Sequence, residues 1–310
     1  MSIDKTQIVE GLNQIWGKWS QFGSELNENQ WQTSSRLPGW TVKDNLSHIV
    51  GGEYMLSGQK LPEVEVSADH VKNPVGEANE KAIQSFREKK GSEVLTLFNE
   101  VTAERFQVLS EMSEEEFQAV GWTPAGEAPY GRFMQIRVYD AWLHLQDCRE
   151  PLGLPGDEDG LPAEIAINEV SSAAGYIVGK KGKAPEGSRI QIIISGPVER
   201  TLRVEVNDGR ASLVESFIED PTSTLKMSSL DFTALTGGRD DSIRYLEKIP
   251  NSCKDDLKIP DVRLLRPRTL IIHDNLKKKI YYIFNVFNDE KIKDYTKKYL
   301  EIKTDLLKLL

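Results

Sequence analysis

Residues 137–153 read RVYDAWLHLQDCREPLG. The run from Phe133 to Arg149 predicts a helix, stopped by Pro151 and Gly153. Asp140 lies four residues before His144, so both side chains leave the same helix face about one turn apart. Asp147 follows three residues on and shares that face, where it can orient a ligand or a substrate proton. The plain alternative for Asp147 is a surface charge near the helix C-terminus, although a carboxylate there opposes the helix dipole. Cys148 stands one turn beyond His144 and reads as a small buried apolar residue rather than a ligand.

A second helix carries another histidine. Leu37-Pro38-Gly39-Trp40 reads as a turn, and Thr41 is a good N-cap for a helix from Val42 to about Met55, with Asp44 in the capping-box position. His48 falls in the middle of it. Two side chains at i and i+4 plus one histidine from a neighbouring helix make a workable three-ligand metal site. Such a set leaves positions open for water or substrate, as catalytic zinc sites do, and it also suits non-haem iron. Zinc would stabilise the anion of a bound thiol or water, or polarise a carbonyl. Spacing alone is a weak signal, because an interior helix histidine is more often a hydrogen-bonded core residue than a ligand. The chain has four histidines; His70, in a polar loop, reads as solvated, and His273 as packed near a strand end.

Working outward, the first 150 or so residues read as a four-helix-bundle pattern. Ile8, Leu12, Ile15, Trp16 and Trp19 fall at helical spacing. Residues 60–78, with Pro62, Pro74 and Gly76, read as a loop; Ala78–Lys89 and Ser92–Met112 read as amphipathic helices, and Gly121–Gly131 as turn-rich. Residues 151–160 form a linker by composition. A helix is predicted over Leu161–Val178, then strands over Arg189–Ser195, Thr201–Val206, Ala211–Ser216 and Ser223–Met227, and a helix over Ser229–Thr236. Asn207-Asp208-Gly209 marks a hairpin turn. This second unit is α+β.

Composition changes abruptly near Gly237-Gly238-Arg239-Asp240. Residues 241–310 hold 16 Lys and Arg against 11 Asp and Glu, whereas residues 1–240 hold 23 against 37. All 23 glycines and all 6 tryptophans precede residue 241. Two unrelated coding histories joined there would account for this, and so would a basic helical extension. The whole chain, 310 residues with a net charge of −9, is acidic enough to argue against general nucleic-acid binding. No stretch approaches the ~18 apolar residues of a membrane helix. The N-terminus lacks a secretory pattern, and two cysteines cannot build a disulfide framework, so the cytoplasm is the expected location.

Three stretches carry a family resemblance. LPGWTVKDNLSHIVGGE (37–53) is similar to a pattern PGW-t-v-x-D-x-l-x-H-l, and residues 137–153 to a pattern R-v-x-D-x-W-x-H-x-x-D-x-R-x-x-l-G. With DPTSTLKMSSLDFTALTGGR (220–239) they resemble, in order, the mycothiol-dependent maleylpyruvate isomerase family. The resemblance implies a multidomain chain: an all-α DinB-like four-helix metal-binding domain over 1–150 and a sterol-carrier-like α+β domain over 160–239. It makes His48, Asp140 and His144 the ligands of a divalent metal, zinc being the expectation, although the isomerases proper carry Glu where Asp140 stands. Asp147 matches an acid of the second motif. Arg239 matches the arginine that ends the family's "GR" motif and supports activity, where it could pair bidentately with a substrate carboxylate. These two are the expected catalytic residues. The implied chemistry uses mycothiol as thiol cosubstrate: a metal-bound thiolate adds to the cis double bond of a maleyl compound, the new single bond rotates, and elimination gives the trans product. Some relatives transfer the thiol to other electrophiles. A non-catalytic metal or small-ligand binder on the same scaffold is the alternative. The expected partner is a small-molecule substrate, without nucleic acid or membrane, on a monomer or weak oligomer.

The tail resembles something else. DDSIRYLEKIPNSCKDDLKIPDVRLLRPRTLIIHDNLKKKIYYI (240–283) looks like part of the N-terminal domain of anthranilate synthase component I. A fragment of that synthase in a chimeric chain is the second alternative; the chorismate-binding domain would lie further along, so no catalytic residue is placed from that likeness. Arg268–Asp274 and Lys279–Val286 predict a hairpin, followed by a Lys-rich helix over Asp289–Leu310, an unrelated-looking α/β tail. Such strands need partners this chain does not supply, and weak docking of 241–310 is expected, with Ile271, Tyr282 and Phe284 left unburied. The isomerase family continues past the arginine with a helix that closes the second domain. Here the tail stands in its place, which would leave residues 160–239 incomplete.

Overall fold

The computed structural model describes residues 4–66, 71, 73–239, 269–274, 279–284 and 295–307. The first helix, α1 (Lys5–Ser24), starts where the Asp4 carboxylate accepts the Gln7 N–H at 2.8 Å. Its buried stripe includes the predicted Ile8, Leu12, Ile15, Trp16 and Trp19. After a single turn, α2 (Glu28–Trp31), comes α3 (Val42–Leu56), capped as predicted: Thr41 Oγ1 accepts the Asp44 N–H at 3.2 Å, and Asp44 Oδ2 accepts the Thr41 N–H at 2.8 Å. The next helix, α4, runs Pro74–Ser85, so it begins inside the stretch read as loop. Pro74 at its first position sacrifices only an N–H that would be orphaned anyway, and Asn73 accepts the Gly76 N–H at 2.8 Å. Helices α5 (Gly91–Glu111) and α6 (Glu114–Phe117) follow.

The turn-rich segment holds a hairpin that the sequence reading missed, β1 (Val120–Thr123) paired antiparallel with β2 (Gly126–Pro129). It leads into α7 (Tyr130–Leu152), longer at both ends than predicted. Pro151 does not stop this helix, because it stands in the last turn. The Asp147 carbonyl, which a proline nitrogen cannot serve, accepts the Arg36 N–H at 3.1 Å instead. Gly153 then ends the helix in the left-handed region, φ 65°. Helix pairs α1–α5, α3–α5, α1–α7 and α3–α7 make the bundle, and α4 lies against α3.

Residues 153–159, a linker by composition, are pinned to the bundle. Trp142 Nε1 donates to the Asp157 carbonyl at 2.8 Å, and the Asp157 carboxylate pairs with Lys18 and Arg149. Helix α8 (Gly160–Ser172) packs on α7 and α1. The single helix expected to Val178 breaks after Ser172 into a short turn, α9 (Ala174–Tyr176), and a π-turn over Ile177–Lys181. The sheet runs β5-β4-β3-β6, with β3 (Arg189–Ser195), β4 (Arg200–Asn207), β5 (Arg210–Leu213) and β6 (Ser223–Ser228). Strand β3 is antiparallel to β4 and parallel to β6. Asp208 (φ 53°) and Gly209 (φ 71°) make the two-residue turn, both in the left-handed region. One sheet face buries Ile192, Ile194, Leu202, Val204 and Val206. Helix α10 (Ser229–Thr236) follows β6 directly.

The chain divides into two units, residues 1–242 and 243–310. In the second, β7 (Thr269–Asp274) pairs antiparallel with β8 (Lys279–Phe284), and α11 spans Tyr295–Leu307. The expectation about Ile271, Tyr282 and Phe284 concerns side chains outside the described set, as do His70 and Cys253 altogether. Among the described residues, no helix is long and apolar enough to cross a membrane.

Candidate metal centre

Helices α3 and α7 lie side by side at their middles, where their sequences place His48, Asp140 and His144. One ligand atom from each lies within 4.8 Å of the others. His48 Nε2 is 3.1 Å from Asp140 Oδ2, and His144 Nε2 is 3.3 Å from Asp140 Oδ1. Both histidines are buried, while the Asp140 side chain keeps 28% of its surface. The centre is therefore reached from the aspartate's side. Among the described residues no other His, Cys, Asp or Glu joins the group. Cys148 is buried on the same helix with its Sγ 4.0 Å from the Val42 carbonyl, in keeping with a small core residue. Burial pushes its thiol well above the usual range.

The surroundings fix His144. Asn45 Nδ2 donates to the Thr41 carbonyl at 2.8 Å, which turns Asn45 Oδ1 toward His144 Nδ1, 2.9 Å away. His144 therefore carries its proton on Nδ1 and presents Nε2 to the centre. Asp147 Oδ2 is 3.4 Å from the same Nδ1. Asp147 in turn accepts from Arg239, Nε at 3.1 Å and Nη2 at 3.0 Å. Arg239 thus spends its paired edge on Asp147, and its backbone N–H on the Ala234 carbonyl at 2.8 Å. Predicted together as catalytic, the two are joined to each other behind His144.

Residues that the sequence reading did not single out complete the setting. Arg137 Nη1 donates to Asp140 Oδ2 at 2.6 Å, and its Nη2 to Glu53 Oε1 at 3.0 Å. The other Glu53 oxygen accepts Arg105 Nε at 3.1 Å. The Trp40 ring, half-buried, lies 5.5 Å from the His48 ring and 5.7 Å from the His144 ring. Its Nε1 donates to Glu80 at 3.1 Å. Of these, only Arg137 offered a local signal, three residues before Asp140 on one helix.

Electrostatics suit a cation. Burial lowers the pKa of His48 against the pull of Asp140. At His144 burial also works to lower it, but Asp140 and Asp147 outweigh burial and raise it. Burial would raise Asp140, yet the two imidazoles hold it well below the carboxylate range. Burial is likewise outweighed at Asp147, which His144 and Arg239 hold low. Two imidazole nitrogens and an ionised carboxylate on one side of a small space fit a divalent ion with open positions.

Residues 12–149 match the family described as mycothiol maleylpyruvate isomerase N-terminal domain. Among solved structures, a histidine-to-alanine mutant of the mycothiol-dependent maleylpyruvate isomerase is similar at a TM-score of 0.52 and 17% identity, over 77% of this chain and 90% of that one. A second crystal structure of that enzyme gives 0.51 and 16% identity, over 77% and 91%. At such identity the likeness concerns the fold, a helical N-terminal domain with a small sheet region. No curated protein matches.

Proposed function

We propose that this chain, whose residues 12–149 match the mycothiol maleylpyruvate isomerase N-terminal domain family, is a mycothiol-dependent metalloenzyme, a cis–trans isomerase or thiol transferase. One observation carries the reading: His48, Asp140 and His144 converge within 4.8 Å, with no further His, Cys, Asp or Glu among the described residues in the group. These three would hold a divalent ion, zinc by the chemistry of the donors. Bound there, the ion would supply Lewis acidity, keeping a thiol in its nucleophilic anionic form near neutral pH.

The chain's own residues prepare that site. Asn45 holds His144 in the tautomer that points Nε2 inward. Asp147 backs the same Nδ1–H and is itself anchored by Arg239, so we assign both to positioning His144 in the reaction. The Trp40 ring lies against both imidazoles, stacked on His144 and tilted to His48. A bound thiolate would do the covalent work: its sulfur would add to one carbon of a cis alkene conjugated with a carbonyl, which takes the electron pair as an enolate, the remaining C–C single bond would rotate, and collapse of the enolate would re-form the alkene as trans and expel the thiolate. A cytoplasmic setting suits a small-molecule thiol of this kind. The tail's resemblance to anthranilate synthase component I has no part in the reading.

The test is turnover of maleylpyruvate by zinc-loaded protein with mycothiol. Isomerisation that needs both thiol and metal, and that Asp140→Asn abolishes, is the expected outcome. Zinc-loaded protein that turns over neither maleylpyruvate nor other electrophiles with mycothiol would favour a silent metal-binding module instead.

A further inference from the structure

We propose that Arg137, seated by Gly52 and Glu53, is a positioning residue of the metal centre, holding the Asp140 carboxylate so that one oxygen stays free for the ion. The inference rests on the metal reading above. An aspartate at a partly open position rotates about its last bond unless one oxygen is held. Arg137 Nη1 holds Oδ2 at 2.6 Å, closer than the 3.1 Å from His48 Nε2 to the same oxygen, while Oδ1 is turned toward His144 Nε2 at 3.3 Å. The guanidinium cannot follow the aspartate, because its other edge is fixed: Nε and Nη2 both donate to Glu53 Oε1, at 3.2 and 3.0 Å. Glu53 itself is buried and already paired with Arg105. The acid therefore has a cation without Arg137, and pairing Glu53 does not explain why a second arginine is buried here.

Gly52 supplies the room. It lies inside α3, where alanine is favoured over glycine by about 1 kcal/mol. A Cβ at this position would come 2.8 Å from Arg137 Nη2 and 3.1 Å from its Cζ. The missing methyl is the seat of the guanidinium. About one and a half turns of α3 thus offer His48 as donor, Gly52 as seat and Glu53 as anchor, and the partner helix answers with Arg137, Asp140 and His144.

The experiment measures zinc affinity of the full-length protein by competition with a chromophoric chelator, and the ligand-field spectrum of the cobalt(II) form. Gly52→Ala leaves every charge and every ligand in place and only displaces the guanidinium. It is expected to weaken zinc binding about 10- to 100-fold, the usual range for losing a residue that orients a metal ligand, and to alter the cobalt spectrum. Arg137→Gln is expected to weaken binding comparably and Arg137→Lys to fall between, since one ammonium cannot bridge both acids. A purely Coulombic role predicts the opposite: tighter binding in Arg137→Gln, which loses a positive charge beside a cation, and no change in Gly52→Ala. Folded Gly52→Ala with wild-type zinc affinity and spectrum would overturn the proposal, whether or not Arg137→Gln folds. Wild-type protein that binds neither zinc nor cobalt would overturn the metal reading as well.

Discussion

His144 has two ring nitrogens, and its neighbours give each a task. Nδ1 faces Asn45 Oδ1 at 2.9 Å and Asp147 Oδ2 at 3.4 Å, so Nε2 is the donor left for the centre. Asn45→Ala removes the nearer of the two acceptors on Nδ1 while sparing all three proposed ligands; zinc affinity should fall about tenfold, read by chelator competition. Asp147 is buried and accepts from Arg239 and His144. Asp147→Asn gives up a charged acceptor and should cost on the order of 2 kcal/mol in urea unfolding of the metal-free protein. His48, Asp140 and His144 were legible in the sequence because two share a helix face four residues apart and all three fall in recognisable motifs. Asn45, Glu53 and Trp40 were not. Each acts through a contact between helices, and nothing in its own neighbourhood of sequence signals that contact.

At the scale of elements, helix ends were read best where the cap is made by adjacent residues. The Thr41–Asp44 box was legible for that reason. The start of α4 at Pro74 was hidden, since proline and glycine signal a loop until Asn73 is recognised as the cap. Pro151 misled in the same way, because the partner of the freed carbonyl, Arg36, lies far off in sequence. Another distant cap lies at the start of α5, where the Glu28 carboxylate accepts the N–H groups of Gly91 (3.0 Å) and Ser92 (3.2 Å). Burial would raise its pKa, but these hydrogen bonds outweigh burial and lower it. Glu28→Ala should cost about 1 kcal/mol at neutral pH, the usual value of a cap. A carboxylate with a depressed pKa stabilises above its unfolded value and loses that contribution as pH falls through the folded one. The gap between wild type and Glu28→Ala in thermal unfolding should therefore close on acidification below the carboxylate range.

For the molecule as a whole, the break in composition near residue 240 and the division of contacts between Ser242 and Ile243 fall together. The strands of the sheet and the helix after them were legible from β-branched runs and the Asn207-Asp208-Gly209 turn. The attachment of residues 153–159 to the bundle was not, because Asp157 reaches Lys18 and Arg149 through the fold. Since all three proposed ligands belong to the first unit, protein ending at Ser242 should unfold in one transition and bind zinc as the full chain does, measured by calorimetry and chelator competition. Tighter or weaker binding by more than a few-fold would mean that residues 243–310 act on the centre. Zinc should also raise the melting temperature of either form, and a chelator should reverse it, because an ion held by these three side chains would bind only the assembled site.

The most direct measurement is the metal content of purified full-length protein beside His48→Ala, with circular dichroism to show that both are folded. One divalent ion per chain in the wild type, and loss of it in the variant, is the result expected from two imidazoles and a carboxylate meeting at one point. A folded His48→Ala protein that keeps its full complement of metal would contradict it.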